Sequence, residues 1–146
     1  MRVGRPVKAL PQPHCDYCGE RAQLARFGDD AYPFRDDYAP VWICPPCQAW
    51  IGVQPRSKHH TPLGRLADSA LRDAKSRLHD ALEPMAAAKA RRDNMNLFEA
   101  RAKALRWAAT ELGFEPVPHS LHALTLEQCE QALRYVEAWK AQRRGE

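Results

Sequence analysis

The chain has 146 residues, of which 45% are hydrophobic and 27% are charged, and its formal net charge is +4. This composition is typical of a globular protein, and so mild a positive charge permits nucleic-acid binding without requiring it. No apolar run reaches the roughly 18 residues of a membrane-spanning helix, and the first residues lack the apolar segment of a secretory leader. We therefore expect a cytoplasmic protein with no membrane partner.

The first part of the chain combines a proline-rich start with paired cysteines. Residues 1–13 contain three prolines and three basic residues, so we predict a flexible basic arm there. Residues 14–52 contain two cysteine pairs and are predicted to form a compact module. Within it, residues 22–27 and 38–43 are rich in aromatic and branched side chains and are separated by glycine and proline. This pattern predicts two short strands joined by a loop.

Four cysteines have the spacing of a zinc site, since two Cys-x-x-Cys pairs are separated by 25 residues. Each pair offers two sulfur ligands from one tight turn, and two such turns complete the tetrahedral shell that zinc prefers. Cytoplasmic thiols stay reduced, so metal ligands are expected in place of disulfides. Four protein ligands leave no open position, which predicts one structural zinc ion without a catalytic role. The predicted ligands are Cys15, Cys18, Cys44 and Cys47.

Two details of this site have alternatives. In one alternative a histidine replaces one cysteine ligand, and the candidates are His14, His59 and His60. The second detail is the arrangement around the metal, for which both a treble clef and a zinc ribbon fit the spacing. Residues 48–52 are predicted to form a short helix that Gly52 ends, as in a treble clef.

The rest of the chain is predicted to be helical after a basic linker at residues 53–62. From Leu63 onward, apolar residues recur every three or four positions, as on one face of a helix. Pro84 lacks an N–H group and is predicted to end or kink this first helix, leaving a second helix at 85–93. The helical region as a whole covers residues 63–146.

Two further helices are predicted from their end signals. The third covers residues 96–112 and ends at Gly113. The last begins at Thr125, which forms a capping-box pattern with Gln128. The apolar faces of these helices, together with the tryptophans, are expected to fill the core: Phe98, Leu105, Cys129, Val136, Trp42, Trp50, Trp107 and Trp139. The predicted fold is therefore α+β and mostly α: a small zinc-ribbon or treble-clef-like module with four cysteine ligands, followed by a bundle of three to four helices.

One face of the first long helix carries basic residues at seven-residue spacing. Arg65, Arg72 and His79 fall in line on a helical projection, and Lys75 flanks them. Lys58 lies just before this helix. Such a row is a candidate phosphate-binding surface, because basic side chains displace the counterions of nucleic acids. The alternative is an ordinary solvated helix face, in which basic and acidic side chains four residues apart support the helix.

The chain resembles a family of small zinc-finger proteins of unknown function that are encoded largely by bacteriophages and prophages. The matching residues are Cys15-Asp16-Tyr17-Cys18-Gly19, the run from Val41 to Gly52, the run from Pro62 to Asp68, and Leu71-Arg72 with Lys75 and His79. The chain departs from the family pattern at Gln54, where a histidine is common, and at Glu83-Pro84-Met85. The resemblance implies zinc binding and a phage setting, which would place the protein in a bacterial host cytoplasm, and it implies no established activity.

Three functions are compatible with these features. The first is an accessory protein that binds DNA or RNA through the basic helix face. The second is a zinc-stabilised interaction module that engages a host or phage enzyme. The third is a nuclease, for which His59, His60 and His79 with Asp68 would have to form a second metal site. The sequence contains no paired carboxylates near a histidine, no nucleophile motif and no phosphate loop, so no enzymatic activity is predicted.

Overall fold

The structure, a computed structural model, describes residues 12–143. The chain divides into two compact units, which we call the cysteine unit (Met1–Leu66) and the helical unit (Ala67–Glu146). Almost all of the predicted basic arm, residues 1–13, lies outside the described residues. Within residues 12–143, three antiparallel strands and three α-helices confirm the predicted mixture of a small β module and a helical region.

The cysteine unit is built on a sheet with the strand order β1 (Gln23–Ala25), β2 (Val41–Cys44) and β3 (Ala49–Gly52). Both pairs of neighbours are antiparallel. All four residues of β2 are buried, which is expected of a central strand that is covered on both faces. Strand β1 lies within the first region that the sequence predicted to be extended, and β2 overlaps the second and ends one residue beyond it.

Successive side chains of β2 point to opposite faces of the sheet, and each face has its own small core. Trp42 and Cys44 lie in one cluster with Leu66. Val41 and Ile43 lie in the other with Tyr32. The first core therefore contains a cysteine of the predicted metal site, and the second anchors the loop between β1 and β2.

The prediction of a helix at residues 48–52 is wrong, because Gln48 ends a turn and the other four residues form β3. Trp50 pairs with Ile43 of β2, and alternate residues of β3 are buried. The second cysteine pair therefore leads into a strand, and the helix that a treble clef needs is not there. The predicted linker at 53–62 forms a loop that is closed by a bridge between Val53 and Pro62.

The first helix begins later than its apolar pattern predicts. Helix α1 is Ser69–Asp93, and the Asp68 side chain caps it by accepting the backbone N–H of Leu71. The apolar residues before Asp68 are not helical, and Leu66 is fully buried in the core of the cysteine unit. The predicted start at Leu63 is wrong because those side chains serve a different core.

The predicted break at Pro84 is also wrong, since α1 continues through it to Asp93. A proline inside a helix removes one backbone hydrogen bond and crowds the preceding turn. In that turn, the carbonyl of Ala81 accepts a hydrogen bond from Lys140 Nζ. The burial of Leu82 and Ala86 on either side of Pro84 also holds this part of the helix against the core.

The other two helices match their predictions closely. Helix α2 is Leu97–Glu111, and the Asn96 side chain caps it by accepting the N–H of Glu99 at 2.7 Å. Gly113, with φ +73°, follows its end. Helix α3 is Leu126–Arg143, and a short 3-10 turn at Leu121–Ala123 precedes it. None of the helices in the described part of the chain is long and apolar enough to cross a membrane.

The helical unit buries one continuous apolar cluster from all three helices. It includes Leu71 and Leu78 of α1, Leu105 of α2, and Cys129 and Val136 of α3. The core positions predicted for Leu105, Cys129 and Val136 are therefore confirmed. Phe98 is a correction, because its side chain is 81% exposed. Small residues of α2 (Ala100, Ala104, Ala108 and Ala109) face the core instead.

Candidate metal centre

The first cysteine pair lies in a tight turn between two short extended segments. The N–H of Gly19 donates to the carbonyl of Cys15 at 2.7 Å, and the N–H of Cys15 donates to the carbonyl of Glu20 at 2.8 Å. Gly19 has φ +81°, a left-handed conformation that glycine adopts without steric cost. The turn therefore holds Cys15 and Cys18 on the same side of the chain, as the sequence predicts.

The second pair forms a corresponding turn between β2 and β3. Its fifth residue is Gln48, which has φ +52° although it is not glycine. The Gln48 backbone N–H and its side-chain amide both donate to the carbonyl of Pro45, at 3.2 and 2.9 Å. These two bonds offset the cost of the left-handed conformation, which is about 1 kcal/mol for a residue other than glycine. Sequence inspection missed this feature because glycine is the usual signal for it.

The four cysteine sulfurs come together in one cluster. The Sγ atoms of Cys15, Cys18, Cys44 and Cys47 all lie within 4.8 Å of one another. Cys18 Sγ and Cys44 Sγ are 3.6 Å apart, which matches the separation of about 3.8 Å between two sulfurs on a tetrahedral zinc. All four cysteines are free of disulfides. Among the described residues no histidine belongs to the cluster, so the alternative with a histidine ligand is not supported.

The acid–base chemistry of this cluster also fits a cation. Hydrogen bonding to Cys18 raises the pKa of Cys47 to about 12, and burial raises the pKa of Cys44. A backbone hydrogen bond at Glu20 lowers the pKa of Cys18, so Cys18 ionises more readily than Cys44 or Cys47. Four thiolates at such close range repel each other and need a positive ion among them. Zinc would supply that charge, because it binds thiolate strongly and four cysteines would fill its tetrahedral shell.

Comparison with known proteins also indicates zinc binding. A model of the zinc-finger-containing domain family DUF3268 matches residues 12–139. The chain belongs to this family. No curated protein and no solved structure matches it. Family membership and the cysteine cluster together indicate zinc binding, whereas the phage setting that the sequence resemblance implies stays a prediction.

The basic residues that the sequence singled out do not form a row on one helix of this zinc-finger protein. Arg65 precedes α1 and lies in the cysteine unit, where its Nη1 atom is 2.8 Å from Asp16 Oδ2. Arg72 is partly buried, and its guanidinium donates to the carbonyl of Ala67. The predicted alignment is wrong because it assumes a helix from Leu63, six residues before the helix begins.

Lys75 and His79 have different surroundings from each other. Lys75 is buried, with 8% exposure, and its Nζ atom is 3.2 Å from Nδ1 of His122. Burial lowers the pKa values of both Lys75 and His122. His79 is exposed, and its Nε2 atom is 3.5 Å from Glu83. The expected solvent exposure of Lys75 is wrong, because Lys75 follows Leu71 by four residues and therefore lies within the apolar stripe.

Lys58 and His59 are exposed in the loop after β3, as expected for residues of a polar connection. The neighbouring His60 is partly buried, and its backbone carbonyl accepts the Trp42 indole N–H at 2.6 Å. Its Nε2 atom is 3.3 Å from the Arg26 guanidinium. The three histidines proposed for a second metal site, His59, His60 and His79, are therefore divided between the two units, and the described residues contain no such metal cluster.

The loop between β1 and β2 contains an aromatic surface that sequence inspection did not single out. Phe27, Phe34 and Tyr38 are exposed there, and Tyr17 is exposed in the first cysteine turn. The available signal was the presence of four aromatic residues within twelve positions of a loop that also contains four aspartates. The sequence pattern assigns these residues to two strands and the loop between them, and it predicts no surface role for them.

Proposed function

We propose that the protein is a zinc-stabilised interaction module, in which one structural zinc ion per chain holds the cysteine unit in shape for contact with a protein partner. The closed set of four sulfur ligands supports a structural role, because a catalytic zinc keeps one position for water or substrate. No enzymatic activity is part of this proposal.

The observation that carries the proposal is the exposure of four large aromatic side chains in the same unit as the cysteine cluster. Tyr17, Phe27, Phe34 and Tyr38 have exposed fractions of 46%, 54%, 38% and 67%. Large apolar groups that remain in water beside one another are typical of protein-binding surfaces. Aromatic residues also dominate the energetics of such interfaces.

The charge of this unit supports a protein partner over a phosphate backbone. Residues 12–66 contain six basic and six acidic side chains. Four thiolates around Zn²⁺ would add two negative charges. Nucleic-acid affinity depends mainly on positive charge, which the described part of the cysteine unit does not hold in excess.

The experiment is affinity capture with the full-length, zinc-loaded protein from a lysate of its native host, after nuclease treatment. The test variant is Phe34→Ala with Tyr38→Ala, and the matched control is Leu97→Ala with Phe98→Ala, two exposed apolar residues of the helical unit. We expect the same proteins on the wild type and the control, and their loss from the test variant. Equal capture by both variants, or complete loss of capture after nuclease treatment, would contradict the proposal.

A second candidate function is nucleic-acid binding, and one observation favours it. No acidic residue occurs between positions 39 and 67, a stretch that contains Arg56, Lys58 and Arg65. Arg56 and Lys58 are exposed in the loop after β3. This local excess of positive charge is suited to phosphate contact even though the unit as a whole is balanced.

This candidate is tested by fluorescence anisotropy with labelled duplex DNA, single-stranded DNA and RNA across a salt series. The double variant Arg56→Ala with Lys58→Ala should weaken binding to all sequences alike and reduce the salt slope by about 2. The control is Lys103→Ala with Arg106→Ala, which removes the same charge from exposed positions of α2. Absence of binding to all three probes at low salt would exclude this function.

A further inference from the structure

The loop between β1 and β2 presents its aromatic rings as a connected series. Tyr32 lies between Phe27 and Phe34, with ring centroids 6.2 and 5.6 Å away. Phe34 in turn lies 5.3 Å from Tyr38 and 6.2 Å from Trp50. All four pairs meet edge to face, so each exposed ring is fixed by its neighbours. We call these five residues the aromatic platform.

The buried contacts of Tyr32 hold the aromatic platform in place. Tyr32 is buried, and its hydroxyl donates to the carbonyl of Ala39 at 2.8 Å while it accepts the backbone N–H of Tyr38 at 3.0 Å. Tyr32 also packs with Val41 and Ile43 of the central strand. The exposed rings of Phe27, Phe34 and Tyr38 are therefore ordered before any partner arrives, which lowers the entropic cost of binding.

The charges around the platform are mainly negative. Its loop contains Asp29, Asp30, Asp36 and Asp37, all exposed, against Arg26 and Arg35. Asp29 accepts the backbone N–H of Arg26 at 2.7 Å, and Asp37 accepts that of Ala39 at 3.2 Å. These two carboxylates also shape the loop, and Asp30 and Asp36 add two further exposed negative charges to it.

We propose that the aromatic platform binds a basic segment of a protein partner, with arginine or lysine side chains lying over the rings of Phe34 and Tyr38. This inference rests on the proposed interaction function and names the chemistry of its partner. Cations are attracted to the faces of aromatic rings, and the exposed carboxylates of the same loop complement the remaining positive charge. A nucleic acid is disfavoured at this surface because its phosphates would meet the aspartates.

The direct test uses the full-length, zinc-loaded protein and a fluorescein-labelled peptide of alternating arginine and glycine. Anisotropy should show saturable binding, and the same peptide with glutamate in place of arginine should not bind. The variant Asp30→Asn with Asp36→Asn should weaken binding about fivefold. It removes two carboxylates that would each form an exposed ion pair with an arginine of the peptide. The matched control, Asp80→Asn with Glu130→Gln, removes two exposed charges from the helical unit and should leave affinity unchanged.

A second pair of variants tests the rings themselves. Phe34→Leu with Tyr38→Leu keeps apolar side chains but removes the aromatic faces, and it should weaken peptide binding about fivefold. Phe98→Leu, at an exposed position of α2, is its control and should have no effect. Zinc content and circular dichroism of each variant should equal those of the wild type, which shows that the fold is intact.

Three results would overturn the inference. One is absence of peptide binding, and another is an equal loss of affinity in the test and control variants. The third is a dimer, measured by sedimentation, that dissociates in the Phe34→Leu and Tyr38→Leu variant, since a second copy would then be the occupant. If lysate proteins are captured through Phe34 and Tyr38 but the arginine peptide does not bind, the interaction function stands and the basic partner is wrong.

Discussion

The two units of this protein fold around different kinds of core. In the cysteine unit, the sheet has two small apolar clusters, and Cys15 and Cys44 are themselves buried members of one of them. In the helical unit, a continuous cluster with Leu71, Leu78 and Val136 is contributed by all three helices. Two of the candidate metal-binding cysteines are therefore core residues of the first unit, whereas aliphatic side chains make up most of the core of the second.

The physical reason for the different cores is the small size of the cysteine unit. A domain of about 60 residues buries a smaller fraction of its unfolded surface than a larger domain does, and below about 40 residues a metal or disulfides are usually needed. The described part of the cysteine unit has few large buried side chains, so metal coordination has to supply much of its folding free energy. The helical unit has no such need, because its own apolar faces meet. If the two units depend on these different sources of stability, variants in one unit should leave the other intact.

The largest effect is expected from loss of a ligand. Cys44→Ala should abolish stoichiometric zinc binding and unfold the cysteine unit, because binding energy in such a site is folding energy. Cys129→Ala is the matched control, since Cys129 is equally buried but lies in the helical core. Elemental analysis should give one zinc per chain for the control. Full metal content in Cys44→Ala would show that Cys44 is not a ligand.

The next effect concerns the apolar core of the other unit. Leu78 is fully buried in the helical cluster, so Leu78→Ala should lower the free energy of unfolding by about 3 kcal/mol. Urea unfolding followed by circular dichroism measures this loss. Zinc content should stay at one ion per chain, and a variant that also lost its metal would show that the two units do not fold separately.

A smaller effect is expected from pH. The pKa of His122 is lower in the folded protein than in the unfolded chain, through burial and the charge of Lys75. The unfolded chain therefore takes up the proton more readily, and stability should fall as the pH drops below about 6.5. His122→Asn keeps an acceptor for Lys75 without titrating and should weaken this dependence. Both proteins share the acid-sensitive zinc site, so the difference between their pH profiles isolates His122, and identical profiles would contradict the assignment.

The smallest effect is expected at the start of α3. The N–H of Gln128 donates to the hydroxyl of Thr125 at 3.1 Å, and the N–H of Thr125 donates to the Gln128 side chain at 3.0 Å. Thr125→Ala should lower the free energy of unfolding by about 1 kcal/mol. Thr125→Ser keeps the cap and should lose much less in the same urea experiment. Equal losses in the two variants would show that the hydroxyl does not stabilise the helix.

The sequence predicts best where a few residues alone determine the local structure. The cysteine spacing was enough to predict the cluster of four cysteines, and Gly113 and the Thr125–Gln128 pair were enough to place the end of α2 and the start of α3. The helix-end signals and each Cys-x-x-Cys turn act within four or five residues, so their physical cause does not depend on the rest of the fold.

Predictions failed where distant packing decides the structure. The stretch 48–52 is too short for its period to separate a strand from a helix, and pairing with β2 makes it a strand. The apolar run before Asp68 continues the helical pattern, but burial of Leu66 among the residues of the sheet excludes a helix there. The basic row depended on that helix. The aromatic platform was missed because its rings meet only when the loop folds around Tyr32.

The most direct test of the account is hydrogen exchange, followed by mass spectrometry, on the full-length protein with and without a zinc chelator. We predict that chelation removes protection from peptides of the cysteine unit, including the strands Val41–Cys44 and Ala49–Gly52. Peptides from Ser69–Asp93 and Leu126–Arg143 should keep their protection, because the helical core needs no metal. Protection that survives in the strands, or that disappears in both units together, would contradict the claim that zinc folds one unit and apolar packing the other.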